Sequence, residues 1–318
     1  MEIEITKQLI EQAHERIKPF VHRAPVMTSQ YLDGISEAGL FFKCENFQRI
    51  GAFKIRGAMN AVLSLPPGVL SKGVATHSSG NHAQALAYAA RHVGAKAFIV
   101  MPNNSPKVKV DAVRGYGAMI TFCEPNQEAR ESTLQQVIDD TGAAFIHPYN
   151  NYEVITGQAS AAKELIEDID ALDAIVVPVG GGGLLCGSLL AAKYFSPSTA
   201  IYAAEPAGAA DAVLSVKNGK IESAPFVDTI ADGLRTKLGD KTFPIISQLV
   251  KDIYTVSDEN IIAAMRLVYE RMKIVIEPSA AVTLAVVLQN KDVFRHKKIG
   301  VIFSGGNVDL ALIGKWFS

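Results

Sequence analysis

The sequence predicts an α/β fold made of two domains with doubly wound, mostly parallel sheets. Three observations carry that expectation. Apolar, β-branched runs alternate with helical patterns along almost the whole chain, as in strand–helix–strand units. These runs are apolar throughout rather than at every second position, so both faces are buried, the condition of a parallel sheet covered by helices. Glycine-bearing loops stand at three strand-to-helix junctions, the end of a parallel sheet at which ligands bind.

Taken in order, residues 5–18 read as an amphipathic helix stopped by Pro19, whose ring cannot continue it. Strands are expected at Leu40–Cys44, Gly73–His77, Ala97–Met101, Met119–Cys123, Ala174–Val179, Ile201–Ala204, Ile253–Val256 and Ile299–Phe303. Helices are expected at Lys54–Leu65, Asn81–His92, Pro106–Gly115, Glu128–Asp140, Gly157–Ile169, Leu184–Tyr194, Asp258–Met272 and Ser279–Gln289. Residues 69–148 hold three strand–helix pairs and end at His147-Pro148. They predict a small, mobile domain inserted in a large one built from residues 1–68 and 149–318.

Composition narrows the function. In 318 residues, 31 Lys and Arg balance 32 Asp and Glu, a formal charge of −1, without the basic excess of a nucleic-acid binder. Cys44, Cys123 and Cys186 are odd in number and far apart, which excludes a disulfide framework and a CxxC metal knuckle and suits the reducing cytoplasm. The N-terminus is charged and amphipathic rather than signal-like. No apolar stretch approaches the ~20 residues of a membrane span. A cytoplasmic protein with neither nucleic-acid nor membrane partners is expected.

The glycine loops are Ser78-Ser79-Gly80-Asn81-His82, Gly180-Gly181-Gly182-Gly183-Leu184 and Ser304-Gly305-Gly306-Asn307. A tight turn needs one or two glycines; the run of four between an apolar strand and a helix suits a phosphate cradle of backbone N–H groups. Leu184 and Leu185 follow it, so the Gly-Lys-Ser/Thr of a P-loop is missing. A dinucleotide fingerprint is broken at Leu185, although Glu205 stands where a ribose-binding acid would fall; a nicotinamide cofactor ranks second. Lys54 lies between Phe53 and Ile55 where a helix begins. An apolar setting lowers a lysine's pKa and supplies the neutral amine that forms Schiff bases. Phosphate cradle, desolvated lysine and a serine at a third strand end together point to pyridoxal phosphate.

Seven segments in order then resemble the serine racemase and serine/threonine dehydratase group of fold-type II pyridoxal-phosphate enzymes, which share the tryptophan synthase β-like fold. They are Phe42–Gln48, Gly51–Ala58, Ser78–Ala85, Val179–Leu185, Ile230–Leu234, Glu270–Ala281 and Ser304–Leu310; Asp232–Gly239 and Glu270–Pro278 look closest to eukaryotic-type serine racemase. The resemblance implies that Lys54 is the Schiff-base lysine, that Phe53 packs near the cofactor ring, and that Gly180, Gly181, Gly182, Gly183 and Leu184 form the phosphate cup. It implies Ser304 at the pyridine nitrogen and Asn81 at the ring hydroxyl. Ser78, Ser79, Asn81 and His82 would line the substrate carboxylate pocket, with Arg130 reaching toward the substrate. Lys54 would remove the α-proton and Ser79 act on the opposite face. Serine, threonine and 3-hydroxyaspartate are the implied substrates, by racemisation, by ammonia-lyase β-elimination, or by both; a scaffold that has lost activity is the reading from another class.

The same resemblance implies a Mg²⁺ or Ca²⁺ site at Glu205, Asp211 and the Ala209 carbonyl, whose oxygens suit such cations. A helix-capping acidic pair is the plainer reading of those residues. It further implies an ATP-type effector between subunits of a homodimer, at Arg49, Lys109, Tyr116, Lys273 and Asn307; Arg49 stands where relatives carry lysine. His77, His92 and His147 lack ligand spacing and read as capping or core residues, and Trp316 as packing.

Overall fold

The computed structural model describes residues 4–105 and 107–318. Its ten strands are β1 (Val26–Met27), β2 (Gly39–Cys44), β3 (Val74–His77), β4 (Ala97–Pro102), β5 (Met119–Cys123), β6 (Ala144–Phe145), β7 (Ala174–Pro178), β8 (Ala200–Pro206), β9 (Asp252–Val256) and β10 (Lys298–Phe303). They form a six-stranded sheet in the order β1-β2-β10-β7-β8-β9 and a four-stranded sheet in the order β5-β4-β3-β6. Every pairing is parallel except β1 with β2. Each of the eight expected strands is present within a residue or two; β1 and β6, two residues each, carry too little pattern to be read.

Side chains alternate across the large sheet, as strand geometry requires. Ile299, Val301 and Phe303 of β10 and Val176 of β7 enter one core, against the Asp258–Leu267 and Pro278–Gln289 helices. Ile302, Ile175 and Val177 enter the other, against the Tyr152–Asp168 and Gly183–Phe195 helices. Phe42 stacks on Phe303 with ring centroids 4.8 Å apart, locking β2 to β10. Truncating such a buried ring costs about 3–5 kcal/mol.

The helices differ from expectation mainly at their ends. The first spans Lys7–Ile17 with Thr6 as N-cap. The Lys54 helix ends at Leu63. The expected start at Pro106 lies outside the described residues, and the helix runs Lys107–Gly115. The helix expected at Gly157 begins at Tyr152, because Asn151 accepts a hydrogen bond from the Val154 N–H and caps it. The expected Asp258–Met272 helix is α-helical to Leu267 and then a π-turn over Val268–Met272. Short helices at Gln30–Ser36, Pro67–Leu70, Asp211–Asn218, Thr242–Leu249, Lys291–Phe294 and Leu310–Trp316 were not foreseen. No helix among the described residues is long and apolar enough to cross a membrane.

One contact positions the site. The Lys54–Leu63 and Tyr152–Asp168 helices approach so closely that a Cβ on Gly157 would lie 2.6 Å from the Arg56 carbonyl oxygen, and one on Gly57 2.7 Å from that of Val154. Only glycine fits at either crossing point.

Candidate active site

Lys54 is the first residue of its helix, reached through a strained approach. Ile50 has φ 60° and Gly51 φ 69°; for a β-branched residue the left-handed region costs about 1–3 kcal/mol. The turn is held from the opposite end of the chain. Asn307 Nδ2 donates to the Ile50 carbonyl at 2.8 Å, the Gly306 N–H to Gly51 at 2.9 Å, and the Phe53 N–H to Ser304 at 3.0 Å. Ser304, buried at the end of β10, thereby lies against the Lys54 helix start.

The Lys54 ammonium donates to the Pro148 carbonyl at 2.9 Å and stands 5.2 Å from the Phe53 ring centroid. Burial lowers its pKa to about 8, with Glu277 pulling the other way. A neutral amine is thus within reach near pH 7, as a lysine nucleophile or base requires.

Gly181 and Gly183 lie against Tyr149, next to the Pro148 that accepts from Lys54, and Asn81 of the other loop bonds Asn307. Six helices among the described residues begin with a side-chain cap, at Thr6, Ser29, Asn126, Asn151, Ser257 and Asp309. The helices starting at Asn81 and Gly183 have glycine N-caps, Gly80 and Gly182, and no side-chain cap. Gly180 to Gly183 are buried, and among the described residues no protein acceptor meets the N–H groups of Gly180, Gly181 and Gly182. Buried N–H groups are rarely left unpaired, so this cradle fits an anion such as the phosphate of pyridoxal phosphate. The loop is glycine for a further reason that sequence did not reveal. A Cβ on Gly181 would strike the Tyr149 ring, and one on Gly180 would lie 2.9 Å from Leu234 Cα.

Asn81 ties its own loop to the Ser304–Asn307 loop and to Glu277. Its Nδ2 donates to Glu277 at 2.9 and 3.2 Å, and its Oδ1 accepts from Asn307 at 2.8 Å. Glu277 is buried and its pKa rises to about 7, chiefly by desolvation and then by repulsion from Asp232; the Asn81 hydrogen bond and Lys109 oppose the rise. His82 lies beneath the helix start with Nε2 3.0 Å from the Ile146 carbonyl oxygen, so Nε2 carries the proton. Burial, then Lys54, holds its pKa down at about 3; it stays neutral. Its buried Nδ1 has no partner. Ser78 accepts from the Gly80 N–H at 3.3 Å, and Ser79 is partly buried beside it.

Arg130 is partly buried, and its Nε is sealed from solvent without a partner. It acts on His77, whose pKa burial lowers, Glu131 opposing and Arg130 reinforcing. His147 accepts from the Tyr149 and Asn150 N–H groups through Nδ1 at 3.3 and 2.9 Å; it caps a turn, as expected. His92 bonds the Tyr88 carbonyl and Trp316 packs on the core.

Glu205 ends β8 and accepts from the Ala212 and Val213 N–H groups at 2.7 and 3.1 Å; Asp211 accepts from Leu238 at 3.2 Å. The capping role is therefore real. Burial still lifts Glu205 to about 8 and Asp211 to about 7, with Asp211 repelling Glu205. No group of three or more His, Cys, Asp or Glu among the described residues could hold a metal.

Of the five positions expected to hold an effector, only Asn307 is hydrogen-bonded into the cluster around Asn81. Lys109 pairs with Asp232, Tyr116 packs edge-on against Tyr88, and Lys273 adopts φ 61°. Arg49 Nε is buried without a partner. Among the described residues no hydrogen bond or ion pair joins Arg49, Lys109, Tyr116 or Lys273 to another of the five.

Sequence reading assigned no role to Glu277, although it lies in the matching Glu270–Ala281 segment, nor to Tyr149, which follows the His-Pro read as a domain boundary. Neither has a spacing signal, because each partner lies far along the chain.

Lysine, glycine cradle and strand-end serine together define a cofactor enzyme, and the chain belongs to the pyridoxal-phosphate-dependent enzyme family, which it matches over residues 17–305. It is 51% identical over 298 residues to a β-hydroxyaspartate dehydratase of Paracoccus denitrificans, covering 94% of this chain and 95% of that protein. It is also 51% identical to a serine racemase of Arabidopsis thaliana, covering 95% and 92%. The structure of maize serine racemase superposes with a TM-score of 0.94 at 46% identity, covering 98% of this chain and 96% of that one.

Proposed function

We propose that this protein is a pyridoxal-phosphate-dependent serine racemase that also eliminates water and ammonia from hydroxy amino acids. The observation that carries the reading is Lys54, whose partly buried amine bonds the Pro148 carbonyl and has its pKa lowered to about 8. When bound, the cofactor supplies an electron sink for the carbanion left when an α-proton is removed.

In this reading the N–H groups of Gly180–Leu184 hold the phosphate, Ser304 faces the pyridine nitrogen, Asn81 the ring hydroxyl, and Phe53 packs near the ring. A hydroxyl at Ser304, unlike a carboxylate, does not force protonation of that nitrogen. Ser78, Ser79, Asn81 and neutral His82 receive the substrate carboxylate at the positive end of the Asn81–His92 helix. Lys54 moves the α-proton on one face and the Ser79 hydroxyl on the other. Lys54→Ala should lose both the visible absorption of the bound cofactor and all product from D- and L-serine. Retention of either overturns the reading.

One observation favours a second reading, dehydration of a 3-hydroxy dicarboxylic amino acid. Arg130 Nε is buried without a partner, a donor waiting for an anion. Comparing kcat/KM for L-threo-3-hydroxyaspartate and L-serine decides it. Arg130→Met should lower the first selectively; equal losses reject this reading.

The proposal extends to a divalent cation at Glu205, Asp211 and the Ala209 carbonyl, supported by two neighbouring carboxyls whose pKa values burial raises, that of Glu205 also by repulsion from Asp211. It includes an ATP-type effector at the five positions given above, a homodimer, and a small mobile domain over residues 69–148, the segment that contains the four-stranded sheet. Three free, buried cysteines suit a cytoplasmic location.

A further inference from the structure

Two residues beyond Lys54, the chain buries a full set of charges. Arg56, Lys43, Glu45 and Glu164 are all at most 4% exposed. Arg56 donates from Nε and Nη2 to Glu45 at 2.8 Å each, and from Nη1 and Nη2 to Glu164 at 2.8 Å each. Its remaining hydrogen bonds reach Ser160 Oγ at 3.1 Å and the His22 carbonyl at 3.3 Å. Lys43 ion-pairs with Glu164 at 2.8 Å and donates to the Ala24 carbonyl at 2.6 Å. The buried members, two positive and two negative, balance in charge with nearly every donor in use, and the part-exposed Asp168 stands 3.9 Å from Lys43 at the edge.

Such a cluster is a poor way to gain stability, because well-packed apolar residues of similar volume serve as well or better. Its geometry suggests another purpose. Glu45 opens the turn at the end of β2, Glu164 sits in the Tyr152–Asp168 helix, and Arg56 lies in the first turn of the Lys54 helix. A doubly bidentate guanidinium fixes both distance and angle between these segments, which a lysine ammonium does not. Positions 54 and 56 are about 200° apart around a helix, so anchoring Arg56 in the core turns Lys54 to the opposite side, toward the Pro148 carbonyl. The helix has no side-chain cap, and Ile50 just before it holds a left-handed conformation. The guanidinium is the tie that fixes this helix start from the core side.

We propose that Arg56 is a positioning residue for Lys54, holding the strained turn and helix start so that the amine points into the cleft. This rests on the role proposed for Lys54. The test compares holoenzyme of the wild type, Arg56→Lys, Lys54→Ala and Phe294→Leu, the last a core change remote from the site. Displacing a reacting group by about 1 Å can cost 10²-fold. Arg56→Lys should lower kcat for L-serine at least tenfold while KM stays within twofold. At equal cofactor content, the visible circular dichroism of the bound cofactor should fall at least twofold. Phe294→Leu should lower the melting temperature without moving either. If Arg56→Lys does not accumulate folded, Glu45→Gln, which keeps the shape of the cluster, is read in the same way. If Arg56→Lys and Glu45→Gln keep wild-type kcat and dichroism while Lys54→Ala has lost the cofactor band, the positioning role is wrong and the Lys54 assignment stands. If Lys54→Ala keeps the band, the underlying assignment itself has failed.

Discussion

Gly182→Ala separates backbone strain from packing at the cradle. Gly182 has φ +91°, and a Cβ there would lie 2.7 Å from Ile246 Cδ1 and 3.0 Å from Thr242 Cβ. The left-handed conformation costs a non-glycine residue roughly 1–2 kcal/mol, and forcing a methyl into a packed core roughly 1–3 kcal/mol. A loss of about 3 kcal/mol in total is expected. At about 2.1 cal/mol/K per residue the unfolding entropy of this chain gives a drop of about 4–5 °C in Tm. Ile246→Val removes the offending Cδ1 and alone costs about 1 kcal/mol. In the double variant the two losses should fall short of additivity by about 1 kcal/mol, because that contact is gone while the φ strain and Thr242 remain. Calorimetry of the four proteins, with and without pyridoxal phosphate, measures the cycle. Wild-type melting of Gly182→Ala would refute the strain argument, and strict additivity would refute the contact with Ile246.

Lys54 is a base whose pKa is lowered from 10.5 to about 8. Between those values the folded state binds fewer protons than the unfolded one, so its penalty is full below pH 8 and disappears as pH rises through 10.5. At 1.36 kcal/mol per unit this is on the order of 3 kcal/mol, so cofactor-free Lys54→Met should melt above wild type at pH 7, with the gap closing by pH 10.5; an unchanged gap contradicts the burial argument. Glu277 runs the other way, its raised pKa costing stability as pH climbs from 4.5 to 7; Glu277→Gln should flatten the melting profile in that window, and a parallel profile counts against it. Ser79→Ala should suppress racemisation while sparing elimination from L-serine, whereas equal loss of both would remove the two-face assignment. Mg²⁺ should raise the Tm of the wild type and not of Glu205→Gln; identical shifts would place the cation elsewhere.

The residues of the proposed site were picked out before folding because their signals are local. Four consecutive glycines, a lysine flanked by Phe53 and Ile55, and serines after apolar strands each announce their chemistry within a few residues. Helix limits were less legible where a single capping side chain decides them, as Asn151 does for the Tyr152 helix. Glu277 gave no local sign, since an acidic residue before a proline reads as a plain helix entry until Asn81, 196 residues away, donates to it.

The sequence by itself determined the alternation of buried strands and helices, the parallel sheets, and the glycine loops and flanked lysine on which the proposed site rests, because periodicity and glycine runs are properties of neighbouring residues. Tertiary structure decided that β10 inserts between β2 and β7, which sets Ser304 against Phe53 and Asn307 on the strained Ile50 turn. It also decided that Tyr149 backs the glycine cradle, that Arg56 is saturated by Glu45 and Glu164, and that the Lys54 amine is desolvated. Burial and hydrogen bonding between distant segments exist only once the chain has closed on itself, and the pKa of Lys54 is set by both.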